Sequence, residues 1–268
     1  MAKPKLNPPC PGWQRDLPGP NEPIDESPTI MRQSPTHLDS IYMDIPRNVS
    51  TVRGLVFCCA VIAALTTAWY IFFTGWLIFI LRAFDTWTTL ARIGVTLLDI
   101  VTVVFGVWGT CVLYRADVSP PRDLPLRFNR VRRKVYVYGF HSVWWNPFTR
   151  WYVTTASYDW DDLRAEKWKV RGATAGGAPI IKEGVSIAVV KSGTNEVITR
   201  FDFSTAATNT TNLWAYVCSY MQHGTKRLDP GHAESRDPND VAPYNLVLRL
   251  APKVEWPAKM DAESRTAP

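Results

Sequence analysis

The chain has 268 residues, 46% of them hydrophobic and 20% charged, with 21 prolines and a formal net charge of +6. That size leaves room for one soluble domain beside other segments, and so modest a charge argues against nucleic acid as a partner. Cys10, Cys58, Cys59, Cys111 and Cys218, like the four histidines, are scattered without CxxC or Cys/His spacing, which excludes a recognisable disulfide frame or zinc site.

Residues 1–52 form a Pro-rich arm. Lys3 and Lys5 are followed by polar sequence rather than by the apolar core of a secretory signal, so the first apolar span is expected to act as the insertion signal. Pro8 to Pro18 cannot be helical through their prolines. A free linker seldom keeps a tryptophan, so Trp13, with Arg15 and Asp16, is a candidate for docking on the domain or on a partner; the alternative is a disordered tail with a chance aromatic. Cys10 is read as inert, since only Arg15 lies nearby to favour a thiolate.

The hairpin 53–115 follows. Gly54–Leu81 and Ile93–Tyr114 carry one formal charge between them, Asp99. Their 28 and 22 residues give roughly 42 and 33 Å of helix, enough for a hydrocarbon core of about 30 Å. Arg47 and Arg53 precede the first stretch, and Arg115, Arg122 and a run from Arg127 to Lys134 follow the second. Positive charge stays inside, so both termini are expected in the cytoplasm of a multi-pass inner-membrane protein. Trp69, Trp76, Trp87 and Trp108 are candidates for headgroup level. Ala60, Ala64, Gly106 and Gly109 are small residues that permit close helix approach. Asp99 is expected to be satisfied near the outer end by water, Thr96 or Thr102 rather than to serve a relay. The sequons at Asn48 and Asn209 carry no weight.

Beyond residue 120 the periodicity changes to alternation. Arg127–Arg130, Lys134–Phe140, Arg150–Asp159, Arg164–Val170, Val185–Lys191 and Glu196–Phe203 read as strands. The last two form a hairpin with Val185, Ile187 and Val189 on one face and Val197, Thr199, Phe201 and Phe203 on one face of the return strand. Gly172–Pro179 reads as a mobile loop. Leu213, Tyr216, Val217, Tyr220 and Met221 define an amphipathic helix stopped at Gly224. The fold class is therefore an α+β membrane protein: a transmembrane helical hairpin, then an antiparallel β-roll over 120–228 capped by a helix. Residues 229–268 read as a mostly irregular tail in which Tyr244–Leu250 alternates like a strand.

Two clusters draw attention. Arg127, Arg130, Arg132, Arg133 and Lys134 are placed to meet anionic headgroups, although topology alone explains them. Asp159, Asp161 and Asp162 flank Trp160; clustered carboxylates can bind a cation or share protons, but such a turn more often holds its tryptophan in the core. No Gly-rich phosphate loop, GxSxG or HExxH occurs, so no catalytic residue and no cofactor is expected.

From Phe128 to Tyr138, the Trp160–Asp162 turn, the second hairpin and the helix, the order resembles bacterial pleckstrin-homology-like domains that follow two membrane spans. It departs from them in the insert at Trp144-Trp145 and in the Gly-rich loop. Pro11–Pro18, Arg127-Phe128-Asn129-Arg130, Asp159–Asp162 and Tyr220-Met221-Gln222-His223-Gly224 together resemble a domain-of-unknown-function family of proteobacterial inner-membrane proteins met beside type VI secretion loci. The resemblance implies an immunity or accessory protein for a secreted effector and no catalytic residues. The expected activity is non-enzymatic protein binding beside the bilayer. The alternatives are a cation-dependent envelope hydrolase using Asp159, Asp161 and Asp162, and an anionic-lipid-sensing scaffold.

Overall fold

The structure, a computed structural model, describes residues 3–23, 28, 34–47, 53–79, 85, 87–173, 179–204, 210–228 and 236–268. The sequons at Asn48 and Asn209, Arg82, and the interior of the predicted loop at 174–178 lie outside these residues.

The chain is α+β. Two long apolar helices, α1 (Leu55–Phe79) and α2 (Thr89–Val118), precede two antiparallel sheets and a helix. Each of the pair is long and apolar enough to cross a membrane. Their leucine, isoleucine and phenylalanine side chains face outward, Phe72 at 73% and Leu90 at 82% exposure. So large an apolar surface is not stable in water. The helices touch where Gly106 meets Thr67: a Cβ on Gly106 would stand 2.5 Å from the threonine Oγ1. Gly109 has no such neighbour, so only one of the two predicted glycines makes the contact.

One sheet runs β2 (His37–Leu38), β3 (Tyr42–Ile45), β4 (Leu126–Asn129), β5 (Lys134–His141), β6 (Tyr152–Asp159). The other runs β1 (Trp13–Asp16), β7 (Leu163–Ala173), β8 (Pro179–Val190), β9 (Val197–Ser204). The 3₁₀ turn at Trp160–Asp162 carries the chain from the first sheet to the second. Helix α3 (Thr210–His223) fills the space between them, burying the predicted stripe and also Trp214, Ala215 and Cys218. The stripe is wider than expected because the N-terminal arm covers its far side. Trp214 Nε1 donates to the Pro18 carbonyl at 2.9 Å and Gln222 Nε2 to that of Pro20 at 3.0 Å.

The arm is therefore part of the fold rather than an appendage. Its β3 pairs with β4 although the whole helical hairpin lies between them in sequence, Asp44 opposite Arg127. Its β1 pairs with β7, Trp13 opposite Trp168 and Asp16 opposite Glu166. Gly12, at φ +73°, passes so close to the Lys169 carbonyl that a Cβ would stand 2.7 Å from it. Leu6 packs on Ala188 and Val190, covering the outer face of β8.

Three expectations need correction. Val197 packs in that outer cluster rather than beside Phe203, because the ladder slips between Val189 and Val190 and reverses the face beyond the bulge. Tyr244–Leu250 is not a strand: Asn245 Oδ1 accepts from Leu248 N–H and starts the short helix α4 (Leu246–Leu250). The C-terminal residues, read as irregular, form helix α5 (Ala258–Arg265) against β4.

Candidate functional site

The base of the helical hairpin is built from charged residues that each reach across the chain. Asp117, in the last turn of α2, accepts from the N–H groups of Gly54 at 2.8 Å and Phe57 at 2.9 Å, capping the first turn of α1. A buried carboxylate there meets both orphan donors and the positive end of the helix dipole. Arg53 donates to the carbonyls of Pro120 and Pro121. Arg47 donates to those of Leu124, Tyr138 and Asp202. Burial pushes the Arg47 guanidinium down to about 10, against the pull of Asp123 and Asp202. Arg122 reaches the Leu248 and Asn239 carbonyls at 2.9 and 2.6 Å.

Within the hairpin, Asp99 accepts from the Tyr70 hydroxyl of α1. The expected local partners are otherwise engaged: Thr96 donates to the Arg92 carbonyl and Thr102 to that of Leu98. No local spacing points to Tyr70, because the pairing is between helices.

The basic cluster is tied into the protein by hydrogen bonds and ion pairs. Arg127 is 3% exposed and makes a bidentate pair with Asp44, at 2.7 and 3.0 Å. Its remaining nitrogen donates to Asp261 and Ser264 of α5, and its plane lies 5.1 Å from the rings of Tyr42 and Trp256. The two carboxylates hold the guanidinium above its ordinary range in spite of burial. Asn129 donates to the Ser264 and Thr266 carbonyls, Arg132 donates to Thr266 and Ala267, and Lys134 pairs with Glu263 at 3.3 Å. Arg130 donates to the Ser40 carbonyl, and Arg133 pairs with Asp161. Arg127, Arg130, Arg132, Arg133 and Lys134, the candidates for anionic headgroups, are thus engaged with the arm, the acidic turn and α5.

The acidic turn is likewise spoken for. Trp160 is fully buried, edge-on to Phe128 at 6.2 Å and tilted on Trp214 at 5.4 Å. Asp161 accepts from Arg133 and Asn21, which hold its carboxyl below the ordinary range, while Asp162 accepts from Ser192 Oγ at 2.6 Å. Asp161 and Asp162 therefore have separate partners. Among the described residues no group of three or more His, Cys, Asp or Glu is arranged to hold a metal ion.

The arm residues lie on β1. Trp13 Nε1 donates to Asp16 Oδ1 at 2.9 Å, Asp16 also accepts from Lys5 N–H, and Arg15 stands opposite Lys167. Cys10 donates its N–H to Glu166, which is itself paired with Arg200 at 3.0 Å. Burial and the Glu166 charge push its thiol up to about 12, so it is chemically quiet at neutral pH. A cavity of about 360 Å³ lies between the arm and α3, lined by Pro23, Pro28, Ala215, Ser219, Gln222, His223 and Arg227. Its walls take in Gln222 and His223 of the Tyr220–Gly224 motif, with one cation, Arg227, on its lining.

What this arrangement does is join the ends of the two helices to each other and to the segments that lead into the sheets. No curated protein and no solved structure matches the chain. The sequence from residue 104 to residue 268, from the middle of α2 through α5, matches a family of unknown function. The chain belongs to that family, DUF6708.

Proposed function

We propose that the chain is a non-enzymatic, membrane-anchored protein-binding module. Its hairpin crosses the bacterial inner membrane, its termini lie in the cytoplasm, and its β unit is pleckstrin-homology-like. The single observation behind this reading is the network at the base of the hairpin: Arg53 and Asp117 join the two helix ends, Arg47 ties the end of the arm to β5 and β9, and Arg122 holds the C-terminal segment. A domain held rigidly beside the bilayer has a raised local concentration for a partner arriving there. The antiparallel order β4–β5–β6, β7–β8–β9, then α3 supports the likeness to pleckstrin-homology domains. The internal pairing of the acidic turn favours binding over catalysis, since Asp161 and Asp162 are already committed to Arg133 and Ser192.

The partner we favour is a secreted interbacterial effector, with this chain its immunity or accessory protein; that part rests on the likeness to proteins met beside type VI secretion loci. The test uses the full chain in lipid nanodiscs against the effector of the neighbouring locus, together with survival of effector-exposed cells. Saturable binding and loss of survival on deletion are expected. Unchanged survival and no binding would overturn the effector reading.

A further inference from the structure

The loop joining β5 to β6, residues 142–151, leaves Trp144, Trp145 and Phe148 at 72, 59 and 72% exposure. It is nonetheless a built loop. The Asn146 carbonyl accepts from Thr149 Oγ1 and Trp151 Nε1, and its side chain accepts from Phe148 N–H at 3.0 Å. Three large rings are thus held outward on an ordered backbone, the reverse of what water favours.

The loop lies along α2. Arg115, the first charge after Asp99 in that helix, donates to the Pro147 and Thr149 carbonyls and stacks over Trp151 at 4.5 Å. Two turns earlier, Trp108 Nε1 donates to the Trp145 carbonyl at 3.2 Å. Seven residues separate Trp108 from Arg115, about 10 Å along the helix and into its apolar length. The exposed rings are therefore continuous with the apolar surface of the hairpin, with Arg115 marking the polar side. The indole N–H at that depth has its acceptor in the loop itself, as a low-dielectric setting requires.

We propose that this loop is a third membrane-contacting element, its Trp144, Trp145 and Phe148 rings seated at the headgroup and acyl boundary beside α2. The occupant is a lipid bilayer, because the patch runs unbroken into helices of membrane-crossing length, its two indoles are the amphipathic type that such boundaries collect, and Phe148 adds apolar area beside them. The inference rests on the hairpin crossing the bilayer.

The test places an environment-sensitive fluorescent amino acid by amber suppression at Phe148, at Phe105 within α2, or at Thr194 in the β8–β9 turn, in full-length protein in phosphatidylcholine and phosphatidylglycerol nanodiscs. Nitroxides carried near the headgroups should quench emission at 148 at least about twofold, as rings at that level require, nitroxides carried deep on the acyl chains should quench emission at 105, and aqueous iodide should reach only the probe at 194. Lipid quenching at 105 with none at 148 overturns the loop assignment and leaves the crossing intact. Absence of quenching at 105 removes the crossing and the proposal with it. A probe at 148 reached by neither quencher also overturns it and puts protein over the patch.

Discussion

Asp117 closes the hairpin at its base: its carboxylate accepts the backbone N–H of Gly54, sixty-three residues earlier, at 2.8 Å. The end of one helix therefore caps the beginning of the other. Replacing Asp117 by Ala removes the cap and leaves the N–H groups of Gly54 and Phe57 without this acceptor. We expect a loss of about 1–2 kcal/mol, read as faster amide exchange over residues 54–58 in nanodiscs. Unchanged exchange there would mean that the cap contributes nothing.

A second prediction concerns Arg127. Removing it as Arg127→Met leaves Asp44 in place, with a side chain 14% exposed, and an uncompensated buried charge costs about 3–5 kcal/mol. Arg127→Lys keeps the charge but not the fork that holds Asp44 and Asp261 together, so it should release α5 while destabilising the whole less. Thermal unfolding in detergent, paired with proteolytic trimming of residues 258–268, separates the two outcomes.

The Tyr70–Asp99 contact is suited to a double-mutant cycle. Tyr70→Phe strands the carboxylate between helices, and coupling in lipid is expected near 0.6–2 kcal/mol, a rough range for interhelical hydrogen bonds. Asp99→Asn together with Tyr70→Phe should lose less than the sum of the single changes. Strict additivity, measured by denaturant titration of the reconstituted protein, would remove the pair from the account.

Acid should loosen α5. Asp261 and Glu263 both have carboxyls held below their ordinary range: for Asp261 burial acts upward and Arg127 and Arg265 outweigh it, and for Glu263 the hydrogen bonds from Tyr136 and Lys134 dominate. A depressed folded value contributes stability above the unfolded value that is lost as pH falls through the folded one. Release is therefore expected below about pH 4, as model carboxylate values indicate. Asp44, whose carboxyl is raised by burial, has the opposite sign; its contribution is present at low pH and fades as pH rises, so it does not drive release. A fluorophore at Thr266 should report detachment in acid, and Asp261→Asn with Glu263→Gln should be loose already at pH 6.

Trp160 sits at the sheet-to-sheet corner with 0% exposure, and its indole N–H meets no partner among the described residues. Trp160→Ala should cost about 3–5 kcal/mol through the cavity it opens. Trp160→Phe removes the orphan donor along with part of the ring, and should cost well under half of that. Equal losses in thermal unfolding would show that the N–H is satisfied in solution.

Periodicity carried the elements, and only the elements. Lys134–Phe140 and the i, i+3, i+4 stripe from Leu213 to Met221 coincide with β5 and α3 because each turns an apolar face to the shared core, although the C-terminal segment and the arm cover the opposite faces. Tyr244–Leu250 alternates as a strand would, yet the Asn245 cap makes a turn of helix, a local hydrogen bond outvoting a pattern. The charged pairs were illegible. Arg127 finds Asp44 and Asp261 at separations of 83 and 134 residues, and no local spacing encodes such a meeting. Residues 258–265 looked disordered because a short polar helix has little stability of its own; what orders it is Arg127 and Asn129 of β4 and Lys134 of β5, far away in sequence.

Strands β3 and β4 are neighbours in one ladder, yet both helices that cross the proposed bilayer are translated between them. A nascent polypeptide with a single helix threaded through would strand half of a sheet in each compartment, and Met43 could never zip to Phe128. Completion of that ladder thus reports that insertion finished with both flanks on one side, a built-in check on biogenesis that charge bias alone does not supply.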